Sequence, residues 1–68
     1  MHFLYAETEP GHWYWMLCDN QGQELYIPYE TYATERACRA AINQIKGPVA
    51  MLVRKISLAD FVAKTTDV

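Results

Sequence analysis

The groups in this chain that could do chemistry are few and widely spaced. His2 and His12, with Glu7 or Cys18, offer imidazole, carboxylate and thiol donors of the kinds that hold zinc, but their spacing matches no recognised ligand pattern. The histidines read as surface imidazoles. Cys38 could act as a nucleophile only with a base beside it, and its place on the apolar stripe of a helix predicts a buried, inert thiol. Glu24 and Glu30 bracket a short apolar run as a carboxylate pair would, yet no substrate pocket is visible between them, so solvation at strand ends is the better account. From these residues no catalytic site, no metal and no cofactor is expected, and the chain is read as not an enzyme.

The aromatic residues carry more information. Trp13, Tyr14, Trp15, Tyr26, Tyr29 and Tyr32, together with Phe3 and Tyr5, are concentrated in the first half of the 68 residues. A sheet face that no helix covers would expose several of these rings, which could stack on bases or grip a peptide or another protein. A net charge of −2 argues against a general nucleic-acid binder, because neutralising phosphates needs a surplus of Lys and Arg. The charges are nevertheless segregated: residues 1–35 hold Glu7, Glu9, Asp19, Glu24, Glu30 and Glu35 without a Lys or Arg, while residues 36–55 hold Arg36, Arg39, Lys46, Arg54 and Lys55 without an acid. Opposed patches of this kind set orientation and encounter rate more than affinity. The interaction candidates are therefore Tyr14, Met16, Tyr26, Tyr29, Arg36, Arg39, Arg54 and Lys55. The first reading is a non-enzymatic structural or interaction module that self-associates. The alternative is a nucleic-acid-binding module that combines an aromatic sheet face with Arg36, Arg39, Arg54 and Lys55.

The elements that must position these groups follow from pattern. Trp13-Tyr14-Trp15-Met16-Leu17-Cys18 lies between Pro10-Gly11 and Asp19-Asn20-Gln21-Gly22, and it is too short for a typical helix and rich in strand formers. It reads as a central strand with Trp13, Trp15 and Leu17 on one face and Tyr14, Met16 and Cys18 on the other. Before it, His2 to Glu7 reads as a first strand, with Phe3 and Tyr5 on one face and Leu4 on the other. After it, Glu24 to Tyr29 should complete an antiparallel hairpin, Pro28 marking an edge, a bulge or the strand's end because it has no N–H for the ladder. Thr34 is a good N-cap for a helix over Glu35 to Lys46 that Gly47-Pro48 stops, with Ala37 or Cys38, then Ala41, Ile42 and Ile45, on its apolar stripe. Small residues on that stripe suit close approach to Trp13, Trp15 and Leu17. Val49 to Ile56 reads as the last strand, Ser57 as the cap of a short terminal helical turn, and Thr65 to Val68 as frayed. The expected fold is α+β: a small antiparallel sheet in the order β-β-β-α-β, one helix packed on one face, in a single domain over residues 1–68.

Size points to association. A domain this small buries only about 60% of the surface its unfolded chain exposes, and 51% of its residues are hydrophobic. A partner subunit relieves both problems. Cys18 and Cys38 read as reduced core thiols rather than a disulfide. The stretch from Met1 to Ala6 lacks a basic leader and soon meets Glu7 and Glu9, and no apolar run approaches the ~18–20 residues of a membrane span. A cytoplasmic protein without membrane contact is expected.

Gly11, Trp13, Trp15, Leu17, then Asn20 and Gly22, then Tyr32, Thr34, Cys38, Ala41, Ile42, Ile45 and Lys46 form a pattern that resembles the YegP-like family of small bacterial and archaeal domains of unknown function. The likeness covers residues 11–46, about half the chain, and its motif is structural rather than catalytic. Two departures stand out: the segment from Gly22 to Tyr32 is about one residue longer than the usual pattern, with Pro28 inside it, and residues 57–68 extend beyond the usual repeat. The family resembles either two tandem repeats or one repeat that pairs with a second copy. With one repeat here, the resemblance implies a homodimer; an unknown protein or peptide partner is the expectation that the aromatic residues add.

Overall fold

Residues 1–65 are described in the computed structural model of the chain, and they begin with two long strands, β1 (His2–Glu9) and β2 (His12–Cys18). Pro10-Gly11 joins them as its residues predict, Gly11 taking a φ of 79° that favours glycine. The hairpin sets Phe3 against Leu17, Tyr5 against Trp15 and Leu4 against Met16. Asp19 organises the next turn, its Oδ1 accepting the backbone N–H groups of Gln21 and Gln23 at 2.9 Å each.

The third strand, β3 (Glu24–Tyr26), pairs antiparallel with β2 but is shorter than the expected Glu24 to Tyr29. Pro28 ends it, as a residue without a backbone donor must. The chain rejoins β2 at Tyr32, which exchanges backbone hydrogen bonds with Trp13 at 2.8 and 2.9 Å. Helix α1 (Glu35–Lys46) then has the expected bounds. The Thr34 hydroxyl accepts from the Ala37 N–H at 3.1 Å, and Gly47, at φ 59°, returns its N–H to the Asn43 carbonyl.

The last strand, β4 (Leu52–Lys55), corrects one expectation. The sheet order is β3-β2-β1-β4, and β4 lies parallel to β1, with Phe3 facing Val53 and Tyr5 facing Lys55. The cause is connectivity: α1 carries the chain back along the sheet, so the next strand starts from the same end as β1, which is how parallel neighbours are joined. The class remains α+β, with a mixed rather than wholly antiparallel sheet.

A second correction concerns the sheet face expected to lie open. Ser57 does cap a helix, its Oγ accepting the Asp60 N–H at 3.1 Å, but α2 (Leu58–Thr65) runs on to Thr65. The fraying expected at the end of the chain otherwise falls on residues 66–68, outside the described residues. On the α1 side, Cys38 and Ile42 close over Phe3, Tyr5, Trp13 and Trp15, with Leu17, Tyr32, Met51 and Val53 around them. On the α2 side, Phe61 is buried among Leu4, Ala6, Met16 and Cys18, with Tyr14, Ile27 and Ile56 at the margin. The molecule is thus a helix–sheet–helix sandwich in which both sheet faces are covered. Phe61 is the decisive residue, because its ring takes the place that a partner was expected to fill.

Candidate functional site

Covering both faces redistributes the interaction candidates. Met16 is fully buried beneath α2 and is no longer a surface residue, and Tyr14 is only partly exposed, its ring 6.2 Å from that of Phe61. Trp13 and Trp15 are buried beneath α1, Trp15 meeting Phe3 edge-to-face at 5.6 Å. The open aromatic sheet face on which base stacking would depend does not exist in this fold. Tyr26 and Tyr29 do remain at the surface, at the β3 edge, with the Tyr26 ring 5.9 Å from Trp15.

The cationic candidates stand elsewhere. Arg36 and Arg39 line a shallow, open depression along α1 with Glu35, Ala40 and Asn43. Lys55 holds its Nζ 5.2 Å from the Trp13 ring centroid, on the α1 side of β4. Arg54 points to the opposite side, into a recess shared with His2, Leu4, Ile56, Asp60, Ala63 and Lys64. Alternation along β4 separates Arg54 from Lys55, and the width of the sheet separates both from Tyr26 and Tyr29. The structure therefore does not bring the exposed rings of Tyr26 and Tyr29 together with Arg54 and Lys55, and the one ring that Lys55 meets, Trp13, is buried.

The groups with chemical potential are dispersed in the same way. Cys18 and Cys38 are free, buried and on opposite faces of the sheet. Burial pushes the Cys38 thiol up to about 11, with the nearby Glu35 carboxylate adding to the shift. Burial also raises Cys18, aided by Asp19 and Glu24 and opposed by Lys64. Both thiols are held protonated, the reverse of a reactive cysteine. Glu7 accepts the Gly11 N–H at 3.3 Å, a local turn contact. Among the described residues no group of three or more His, Cys, Asp and Glu side chains is placed to hold a metal ion, and no helix is long and apolar enough to cross a membrane. One polar contact that spacing does not disclose links β1 to α1: the Tyr5 hydroxyl donates to Glu35 Oε2 at 2.8 Å. Burial, followed by this carboxylate contact, raises the tyrosine's pKa, with Arg39 opposing.

What the surface does offer lies at the two edges of the sheet. β4 forms one edge. Its first residue, Leu52, is 58% exposed, as is Val49 just before it at 56%, and Ile45 in the last turn of α1 is 60% exposed. Ile45 was expected on the buried stripe of α1. That helix packs on β2 and β1, and its last turn leaves Ile45 outside the core. The outer side of β4 presents backbone donors and acceptors with no further strand beyond it, the usual invitation to another chain.

A family model described as a domain of unknown function, DUF1508, matches residues 9–50, well over half of the chain. The matched span runs from the last residue of β1 through α1 and stops before β4. No curated protein and no solved structure matches the chain.

Proposed function

The chain belongs to the DUF1508 domains, known as the YegP-like family, and on that premise we propose that it is a non-enzymatic module that pairs with a second copy of itself through the outer edge of β4. The observation that carries this reading is the unpaired β4 edge, whose first residue, Leu52, is exposed, as is Val49 just before it. With both sheet faces covered by helices, an edge is the remaining route to a strand-mediated dimer. β4 suits it better than β3, which is three residues long and ends before Pro28.

The register can be worked out. A two-fold axis perpendicular to the sheet makes the two β4 strands antiparallel and keeps each protomer's α1 on the same side, so residues facing one another must belong to the same sheet face. Centring the axis on Arg54 would set two guanidinium groups opposite each other, which is unfavourable. Centring it on Val53 sets Val53 against Val53 and Leu52 against Arg54, and joins the two four-stranded sheets into one. A cytoplasmic location accompanies the proposal, supported by two buried free thiols of the kind a reducing compartment maintains.

Light scattering across a dilution series, in low and high salt, tests the pairing. Two basic β4 edges repel, so the expected dimer persists or tightens as salt rises. A dimer that falls apart in salt would point instead to a basic β4 edge meeting the acidic β3 edge of another copy. A monomer at every concentration would overturn the proposal.

A further inference from the structure

The edge opposite β4 carries a surface that pairing through β4 leaves open. Between Tyr26, opposite Leu17, and Tyr32, opposite Trp13, the outer chain advances six residues while β2 advances four, so two residues are looped outward around Pro28. Within that stretch Ile27 turns inward to the core beneath α2, whereas Tyr29 is fully exposed; Tyr26 at its start and Leu25 just before it are more than half exposed. Glu24 and Glu30 flank these three residues, both exposed, and neither carboxylate has an ion pair or hydrogen-bond donor among the described residues. A nearby cation, Lys64, is engaged with the Gly22 carbonyl at 3.3 Å. Single exposed apolar residues are ordinary on a protein surface. An apolar rim framed by two unpaired carboxylates is a more specific arrangement.

We infer that this rim is a docking site for an extended, arginine-bearing segment of another protein. Arginine answers each feature in turn. Its guanidinium group donates two parallel hydrogen bonds to a carboxylate such as Glu24 or Glu30. The same planar cation stacks on a tyrosine ring, for which the fully exposed Tyr29 is open. An extended backbone can take up the outer polar groups of β3, as in strand addition, while its alternate side chains meet the rim. Strand addition stops at Pro28, so side-chain chemistry rather than a long ladder selects the occupant. A second copy of this chain fits less well, since Arg36 and Arg39 are on a helix and Arg54 belongs to the β4 edge. The surface belongs to the β3 edge alone, and the choice of another protein over a second copy rests on the proposed pairing, which engages Arg54 at the β4 edge.

The test is an NMR titration of the isotope-labelled chain with a capped hexapeptide, Arg-Thr-Arg-Val-Arg-Thr, at low salt. Saturable shifts are expected at Glu24, Leu25, Tyr26, Tyr29 and Glu30 and at the adjoining end of β2. The double variant Glu24→Gln, Glu30→Gln should weaken binding about fivefold, the sum of two exposed ion pairs. Tyr29→Ala should weaken it about threefold through loss of the stacking face. Both variants alter exposed side chains, and their spectra report directly that the fold is kept. The same peptide with glutamate replacing arginine should cause no shift. The inference is overturned by an absence of saturable shifts at this rim, by an equal response to the glutamate peptide, by undiminished binding to the double variant, or by shifts centred on β4 or α1 instead.

Discussion

Trp15 lies at the centre of β2 and is 1% exposed, and its indole Nε1 is buried without a hydrogen-bond partner. Two substitutions separate what its ring contributes from what its N–H costs. Trp15→Ala removes the ring from between Phe3 and Tyr26 and leaves a cavity, a loss of about 3–5 kcal/mol. Domains of this length have roughly 3–10 kcal/mol in all, so this variant should be largely unfolded at ambient temperature. Trp15→Phe keeps a ring in contact with Phe3 and gives up the packing of a few ring atoms, about 1–2 kcal/mol. It also removes the stranded donor, whose desolvation costs about 1–3 kcal/mol. The two effects nearly cancel, and the net change should be within about 1 kcal/mol. For a domain this small that corresponds to a midpoint shift of no more than about 8 °C. Thermal melts followed by far-ultraviolet circular dichroism, at one fixed protein concentration because association raises the midpoint, read both variants. If Trp15→Phe is as damaging as Trp15→Ala, the indole N–H is a contributor to the core and the reasoning is wrong.

Four further outcomes are expected. Phe61→Ala should detach α2 from the sheet at a cost of about 3–5 kcal/mol and expose Met16, which increased binding of a hydrophobic dye would register; an unchanged melt would mean that α2 is not a structural layer. Thr34→Ala should cost about 1 kcal/mol by freeing the Ala37 N–H, measured by urea denaturation. Cys38 is an acid whose folded pKa, about 11, lies above its unfolded value near 9, so the unfolded state releases its proton first and stability falls as pH rises through that window, by up to about 3 kcal/mol. Tyr5 and Cys18 shift in the same sense, and Cys38→Ala isolates the Cys38 contribution by flattening the alkaline decline. Leu52→Lys should dissociate the proposed dimer by setting a second cation opposite Arg54, whereas Leu52→Glu should retain or tighten it; sedimentation velocity of the two variants distinguishes the signs.

The parts of the fold legible in the sequence were those fixed by local chemistry. Thr34 and Gly47 bound α1 because a hydroxyl cap and a positive-φ stop act on their own neighbours. The two faces of β2 were legible because strand alternation needs nothing beyond the strand. The direction of β4 was not, since it depends on where α1 delivers the chain rather than on the residues of β4. The covering of the second face was missed for a related reason. Leu58, Phe61 and Val62 form only a small apolar pattern, and whether it caps the chain end or closes a core depends on long-range proximity to Leu4, Ala6, Met16 and Cys18. That misjudgement carried into the candidate site. It placed Met16 at the surface and gave the aromatic rings an open face, while Ile45, expected in the core, is exposed at the end of α1. The bulge around Pro28 was legible in kind, because a residue without an N–H interrupts a ladder, but its extent is visible only in the pairing of Tyr26 and Tyr32 with β2.

Pairing through β4 is tested most directly by a mixed sample in which half the chains carry carbon-13 and nitrogen-15 and half carry neither, with magnetisation transfer filtered for contacts between unlike chains. The account predicts contacts from Val53 of one protomer to Val53 of the other and between Leu52 and Arg54 across the interface. Contacts between unlike chains confined to β3, or none at a concentration where scattering reports twice the monomer mass, would contradict it.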